Sequence, residues 1–300
     1  YSLQGKESKA HFPHTEKSIK EAILFAAKND AVDIVSSKFT GLIPFSVLEK
    51  LHAKQDLTKD EQEIYRKSKD RIYSISKLAY DNNVSLFVDA EESWIQQPLD
   101  DLTFELMQQF NREKPIIYNT FQLYRKDRLA YFKQEVQRAN QEGIIYAAKL
   151  VRGAYMEKEA DRAKAFNYEN PIQRSKENTD NDYNAALQFA IENISTVAVC
   201  VATHNEQSTV LATTLMEQNN IPKNHPNIHF SQLFGMSDQI TFNLAAEGYN
   251  AGKYMPYGPV KDVIPYLIRR AQENTSVAGQ MGRELKLLKQ EVKRRKLFAF

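Results

Sequence analysis

Several short apolar segments of the 300-residue chain end on side chains that can ionise, bind or donate a hydrogen bond. Lys38 stands in SSKFT, Asp89 in FVDAEE, Asn119 and Gln122 in YNTFQ, and Lys149 in AKLVRGAY beside Gly153, Ala154 and Tyr155. Thr203 and His204 stand in ATHN, Gln232 and Leu233 in SQLFGM, and Tyr254 in KYMPYG. Lys149 lies within an apolar run, where loss of water disfavours its charge unless an anion or an electron-rich ring compensates. Three roles fit such a lysine: a Schiff-base amine for carbonyl substrates, a cation beside a cofactor, or the partner of a core carboxylate such as Asp89. His204 has no second histidine or acid placed to complete a nucleophilic triad, so it reads as a positioning residue.

A second group stands near the C-terminus in VIPYLIRRAQEN. Arg269 and Glu273, like Arg270 and Asn274, are four residues apart and share a helix face. Adjacent arginines on a helix project about 100° apart. Two readings follow. The pair belongs to a solvated face, or its two guanidiniums clamp one small carboxylate through bidentate, charge-assisted bonds.

The elements that must position these residues alternate in type. Strand-like runs fall at 31–40, 84–91, 115–124, 146–155, 196–205, 228–236 and 250–258, with the β-branched and apolar bias of buried strands. Helix-like stretches at 57–81, 207–219 and 238–247 lie between them, the first opened by Thr58 and Glu61 at capping-box spacing. The stub at 1–5 supplies an eighth strand, cut off at its start. Alternating βα units predict a parallel α/β fold, and eight of them fit a (β/α)8 TIM-like barrel in one domain over 1–300. The alternative is an open doubly wound sheet, although no GxGxxG follows any strand. In a barrel, polar residues at the C-terminal strand ends line the site.

Composition narrows the classes. With 42% apolar and 26% charged residues the chain can bury a core and is not disordered by composition. A net charge of +2 is too small to imply nucleic acid. The one cysteine, Cys200, permits no internal disulfide, and no zinc pattern appears. No apolar run reaches the roughly 18 residues of a membrane span. The opening on Tyr1 leads us to expect a fragment or processed form. Besides a Schiff-base aldolase, a basic adaptor using the charged tail competes, but it leaves the polar strand ends unexplained.

KLVRGAY, ATHN, QLFGM, YMPYG and YLIRRAQEN occur here in an order that resembles the proline dehydrogenase family, over about residues 1–284. The resemblance implies a distorted (β/α)8 barrel whose last helix lies over the mouth. It further implies a noncovalent flavin, FAD with FMN the alternative, and oxidation of L-proline to Δ1-pyrroline-5-carboxylate. Electrons pass to a membrane quinone, so peripheral membrane association is expected. The location is the mitochondrial inner membrane for a eukaryote and the cytoplasmic face of the inner membrane for a bacterium.

By position, the resemblance gives Arg269 and Arg270 the substrate carboxylate, with Glu273 orienting them, and makes Lys38 and Asp89 active-site residues. Tyr254 packs on the proline ring, with Leu233 and Tyr155 completing the wall. Asn119, Lys149, Gly153, Ala154, Lys176, Thr203, His204 and Gln232 match flavin contacts. One branch of the family has arginine where Lys149 stands and glutamine where Asn119 stands. The segment at 285–296, LKLLKQEVKRRK, is basic and amphipathic, and reads as a solvated helix or a contact for anionic lipid.

Overall fold

Runs such as VAVCVA and YAAKLV are apolar at nearly every position, which suits strands covered on both faces. The computed structural model describes residues 11–256, 264, 268 and 289–295. In chain order its main elements are α1 (His11–Ala26), β1 (Ile34–Ser37), α2 (Phe45–His52), α3 (Lys59–Asp81), β2 (Ser85–Val88) and α4 (Ser93–Phe110). Next come β3 (Ile117–Gln122), α5 (Arg128–Glu142), β4 (Tyr146–Val151), α6 (Met156–Phe166), α7 (Lys176–Glu192) and β5 (Val197–Ala202). Then follow α8 (Glu206–Gln218), β6 (Ile228–Leu233), α9 (Asp238–Ala246) and β7 (Ala251–Tyr254).

All seven expected strands form, each inside its predicted window. The helix ends follow local chemistry. Thr58 and Glu61 make the capping box of α3, the Glu61 N–H donating to the Thr58 hydroxyl (3.3 Å) and the Thr58 N–H to the Glu61 carboxylate (2.9 Å). Asn205, at the end of the ATHN motif, caps α8 by accepting from the Ser208 N–H at 3.0 Å.

The strands pair in parallel, in the order β1-β2-β3-β4-β5-β6-β7. This singly wound order has no switch point, so it overturns the doubly wound alternative. The sheet also curls. β2 and β7 are five strand spacings apart, about 24 Å in a flat sheet. Yet the Tyr254 hydroxyl, on β7, reaches the Asp89 carboxylate just past β2 at 3.1 Å. His229 on β6 likewise lies 3.7 Å from Asp33, immediately before β1. The stub at 1–5 and the final helix at 263–274 lie outside the described residues, apart from Ile264 and Ile268, which are helical.

Two apolar layers result from the alternation of strand side chains. Tyr146, Phe121, Leu150 and Val199 face outward and pack under the helices, with the Phe121 and Phe132 rings 4.9 Å apart. A smaller cluster of Phe87, Tyr118, Ala147, Ala198 and Cys200 fills the inside of the curl. Burial there pushes the Cys200 thiol up to about 12, which leaves it unreactive. Among the described residues no helix is long and apolar enough to cross a membrane.

Candidate active site

Strand register brings four residues to one level at the C-terminal mouth. Ser37 pairs with Val88, Val88 with Asn119, and Thr120 with Lys149. Lys38 and Asp89 therefore stand level with Thr120 and Lys149, all on the inner face. The Lys149 ammonium donates to Asp89 Oδ1 at 2.7 Å and lies 4.9 Å from the centre of the Tyr254 ring. Tyr254 donates its hydroxyl to Asp89 Oδ2. Lys38 Nζ donates to the Tyr155 hydroxyl at 2.5 Å. Five residues expected from the sequence thus form two groups joined by three contacts, Lys149–Asp89–Tyr254 and Lys38–Tyr155. Leu233 pairs with Tyr254 in register and flanks it.

Electrostatics explains how a nearly buried carboxylate survives here. Burial pushes the Asp89 carboxyl up, but the charge and hydrogen bond of Lys149, the charge of Lys38 and the Tyr254 hydroxyl outweigh it and hold it below its usual range. Asp89 is thus a fixed anion. Glu91, two residues on, behaves oppositely. Burial raises its carboxyl despite Lys38 and a 2.8 Å bond from the Thr40 hydroxyl.

The loops around this centre are tied to each other. Gln122 Nε2 donates to the Glu91 carbonyl (2.7 Å), while its Oε1 accepts the Ala154 N–H (3.0 Å), joining the loops after β2 and β4. Glu159 of α6 accepts from both the N–H and the hydroxyl of Ser93, at 2.7 and 2.6 Å, and so caps the start of α4 from another helix. Gly153 has φ +147, and a Cβ there would lie 2.5 Å from the Tyr124 ring. Only glycine lets this backbone pass so close to Tyr124.

Other expected residues stand elsewhere. Asn119 is one position from Thr120, so it faces the helices and donates to Asp100 of α4 at 2.9 Å. Gln232 likewise faces α9, accepting from the Thr241 hydroxyl at 2.7 Å. The structure therefore does not bring Asn119 or Gln232 into the mouth. Thr203 accepts from Arg152 Nη1 (2.7 Å), and exposed Lys176 pairs with Asp180, which also holds Arg152. His204 Nδ1 lies 3.0 Å from the Ser237 hydroxyl. Arg269, Arg270 and Glu273 lie outside the described residues. Thr120 and Ser237 escaped the sequence reading of the site, and Gln122 and Arg152 stood among the polar strand ends without a role. Counting by twos from an inward Lys149 across the register finds Thr120 and Gln122, but a strand buried on both faces shows no alternation to count from.

The family profile for proline dehydrogenase matches residues 1–283. This chain belongs to the proline dehydrogenase family. The mitochondrial proline dehydrogenase 1 of Dictyostelium discoideum is 36% identical over 95% of this chain and 57% of its own length. The human mitochondrial proline dehydrogenase 1 is 40% identical over 79% of this chain and 40% of its own length. A Xenopus laevis hydroxyproline dehydrogenase is 37% identical over 85% of this chain and 56% of its own. The chain thus spans about half the length of these relatives. Among solved structures, proline utilization A from Bdellovibrio bacteriovorus, inactivated by N-propargylglycine, superposes with a TM-score of 0.78. It is 24% identical over 90% of this chain and 29% of that one, a likeness of fold.

The mouth of this proline dehydrogenase family member can be tested against a flavin. Lys149 donates only to Asp89 among the described residues, so two of its three N–H groups find no protein acceptor there. On the strand between Lys149 and Asp89, Thr120 is 5% exposed, and its buried hydroxyl has no hydrogen-bond partner among the described residues. A cation and an orphaned hydroxyl facing one mouth call for an electron-accepting, hydrogen-bonding group, and an isoalloxazine ring has that chemistry. The residues fit the group.

Proposed function

We propose that this chain is the catalytic barrel of a flavin-dependent L-proline dehydrogenase, which forms Δ1-pyrroline-5-carboxylate in the first step of proline catabolism. The observation that carries the reading is the Lys149–Asp89–Tyr254 cluster at the mouth, with Lys38–Tyr155 beside it. A bound flavin would supply the acceptor for the hydride leaving the substrate C5, with a membrane quinone as the onward electron acceptor. Lys149 and Thr120, with Gly153, Ala154, Thr203, His204 and Lys176, would hold it, and the resemblance favours FAD over FMN.

The protein's own part is orientation, electrostatics and exclusion of water. Tyr254, Leu233 and Tyr155 wall the substrate ring. Arg269 and Arg270 fix its carboxylate and Glu273 orients them. Asp89 holds Lys149 and Tyr254 in place as a permanent anion, and Lys38 orients Tyr155. The barrel closes with an eighth strand, and the helix carrying the arginines covers its mouth. The location that follows is the mitochondrial inner membrane for a eukaryote or the cytoplasmic face of the inner membrane for a bacterium.

The aldolase alternative loses ground, since Lys149 Nζ is tied to Asp89 and lies against the Tyr254 ring rather than open to a carbonyl carbon. The test is proline-dependent reduction of a soluble quinone analogue by the flavin-loaded protein. Turnover with L-proline exceeding that with hydroxyproline supports the reading. Turnover with neither contradicts it.

A further inference from the structure

We infer that Ser237 is a positioning residue for His204, held in a strained backbone conformation for that purpose. The inference rests on the proposed function in placing His204 beside the flavin. Ser237 is the N-cap of α9, and its backbone has φ 52 and ψ 44, the left-handed region that residues other than glycine seldom enter. A serine N-cap ordinarily has an extended backbone and gives its side chain to the first turn of the helix. Here no side-chain cap bond forms, and the hydroxyl lies 3.0 Å from His204 Nδ1.

The surroundings over-determine this geometry. Ser237 is 4% exposed. Gly235, two residues earlier, has φ 78. Lys253 on β7 donates to the Met236 carbonyl at 2.6 Å and pairs with Asp238 at 2.7 Å, pinning both neighbours of Ser237. Strain that persists under such constraint is a mark of functional loops. His204 is steadied from the other side, because its neighbour Thr203 accepts from Arg152 Nη1 at 2.7 Å. His204 also continues the inward series of Cys200 and Ala202 on β5. Through this contact at Nδ1, then, Ser237 fixes the plane of the His204 ring at the mouth.

Two variants separate hydroxyl from backbone. Ser237→Gly removes the hydroxyl and relieves the strain, whereas Ser237→Ala removes the hydroxyl and keeps it. In the flavin-loaded protein, both are expected to raise the flavin dissociation constant about tenfold, one net hydrogen bond's worth, and to shift the visible flavin bands. With flavin at the same multiple of each protein's own dissociation constant, Ser237→Gly unfolds at the same or higher temperature than wild type, so a merely structural role cannot explain its weaker binding. Adding His204→Asn to Ser237→Gly costs less than the product of the single effects, because both act through one contact. Dissociation constants within twofold of wild type in both variants, or fully multiplicative effects, overturn the inference. If wild type binds flavin and bleaches with proline while the variants match it, this inference alone fails. A wild type that binds no flavin overturns the functional reading as well.

Discussion

Lys149 and Asp89 are joined at 2.7 Å across β3, with Thr120 on the strand between them. Their side chains are 10% and 14% exposed, so each charge depends on the other for the solvation it has lost. One contact thus does two things: it pays for burying an anion under the mouth, and it aims a cation at the space above Thr120.

Replacing Asp89 by Asn should leave Lys149 uncompensated, at a cost on the order of 3–5 kcal/mol. The pH dependence has a definite sign. The folded Asp89 carboxyl is depressed, so its contribution is present above the unfolded value near 4 and lost as pH falls through the folded value. Glu91 works the other way, since its carboxyl is raised and it destabilises increasingly as pH rises above about 4.3. Glu91→Gln, which keeps an acceptor for the Thr40 hydroxyl, should therefore gain on wild type between pH 5 and 8. Urea unfolding across that range checks both, and an Asp89→Asn midpoint equal to wild type at pH 7 would remove the buried-pair account.

Gly153→Ala should cost on the order of 2–5 kcal/mol, because its Cβ meets the Tyr124 ring at 2.5 Å and its φ of +147 disfavours a side chain. Gly143→Ala is the control. Its φ is +66 but nothing lies within 4 Å, so about 1–2 kcal/mol is expected. Thermal unfolding compares them, and equal losses would show that backbone conformation alone matters.

Tyr254→Ser removes the ring beside Lys149 and opens space next to Asp89. The ratio of kcat/KM for hydroxyproline to that for proline should rise at least several-fold. A ratio unchanged from wild type would take Tyr254 out of the specificity account.

Much of the arrangement was legible in the sequence, and the reason is physical. VAVCVA and YAAKLV are apolar at nearly every position because both faces of a parallel strand are covered, so the strands and their polar ends stood out. The same covering hid which way each side chain points. Asn119 and Gln232 have the right chemistry at the right ends, yet each sits one residue off the inward register, and the helix side supplies Asp100 and Thr241 to satisfy them. Arg152 had no role in the sequence and Ser237 went unseen because their partners, Thr203 and His204, come from other strand ends, a proximity that only the assembled, curled sheet provides.

Arg269→Met and Arg270→Met test the carboxylate clamp drawn from the sequence. Each should raise the KM for proline about 10- to 150-fold with flavin still bound, the effect of losing one charge-assisted contact of about 1.5–3 kcal/mol. Steady-state kinetics decides it. An unchanged KM in both variants would contradict the assignment.

The most direct test of the central claim is the visible absorption spectrum of the purified protein, repeated after anaerobic addition of L-proline. The account predicts flavin bands, on the order of 380 and 450 nm, that bleach on addition of proline. A protein that remains colourless after flavin is supplied, or flavin bands that proline leaves unchanged, would contradict it.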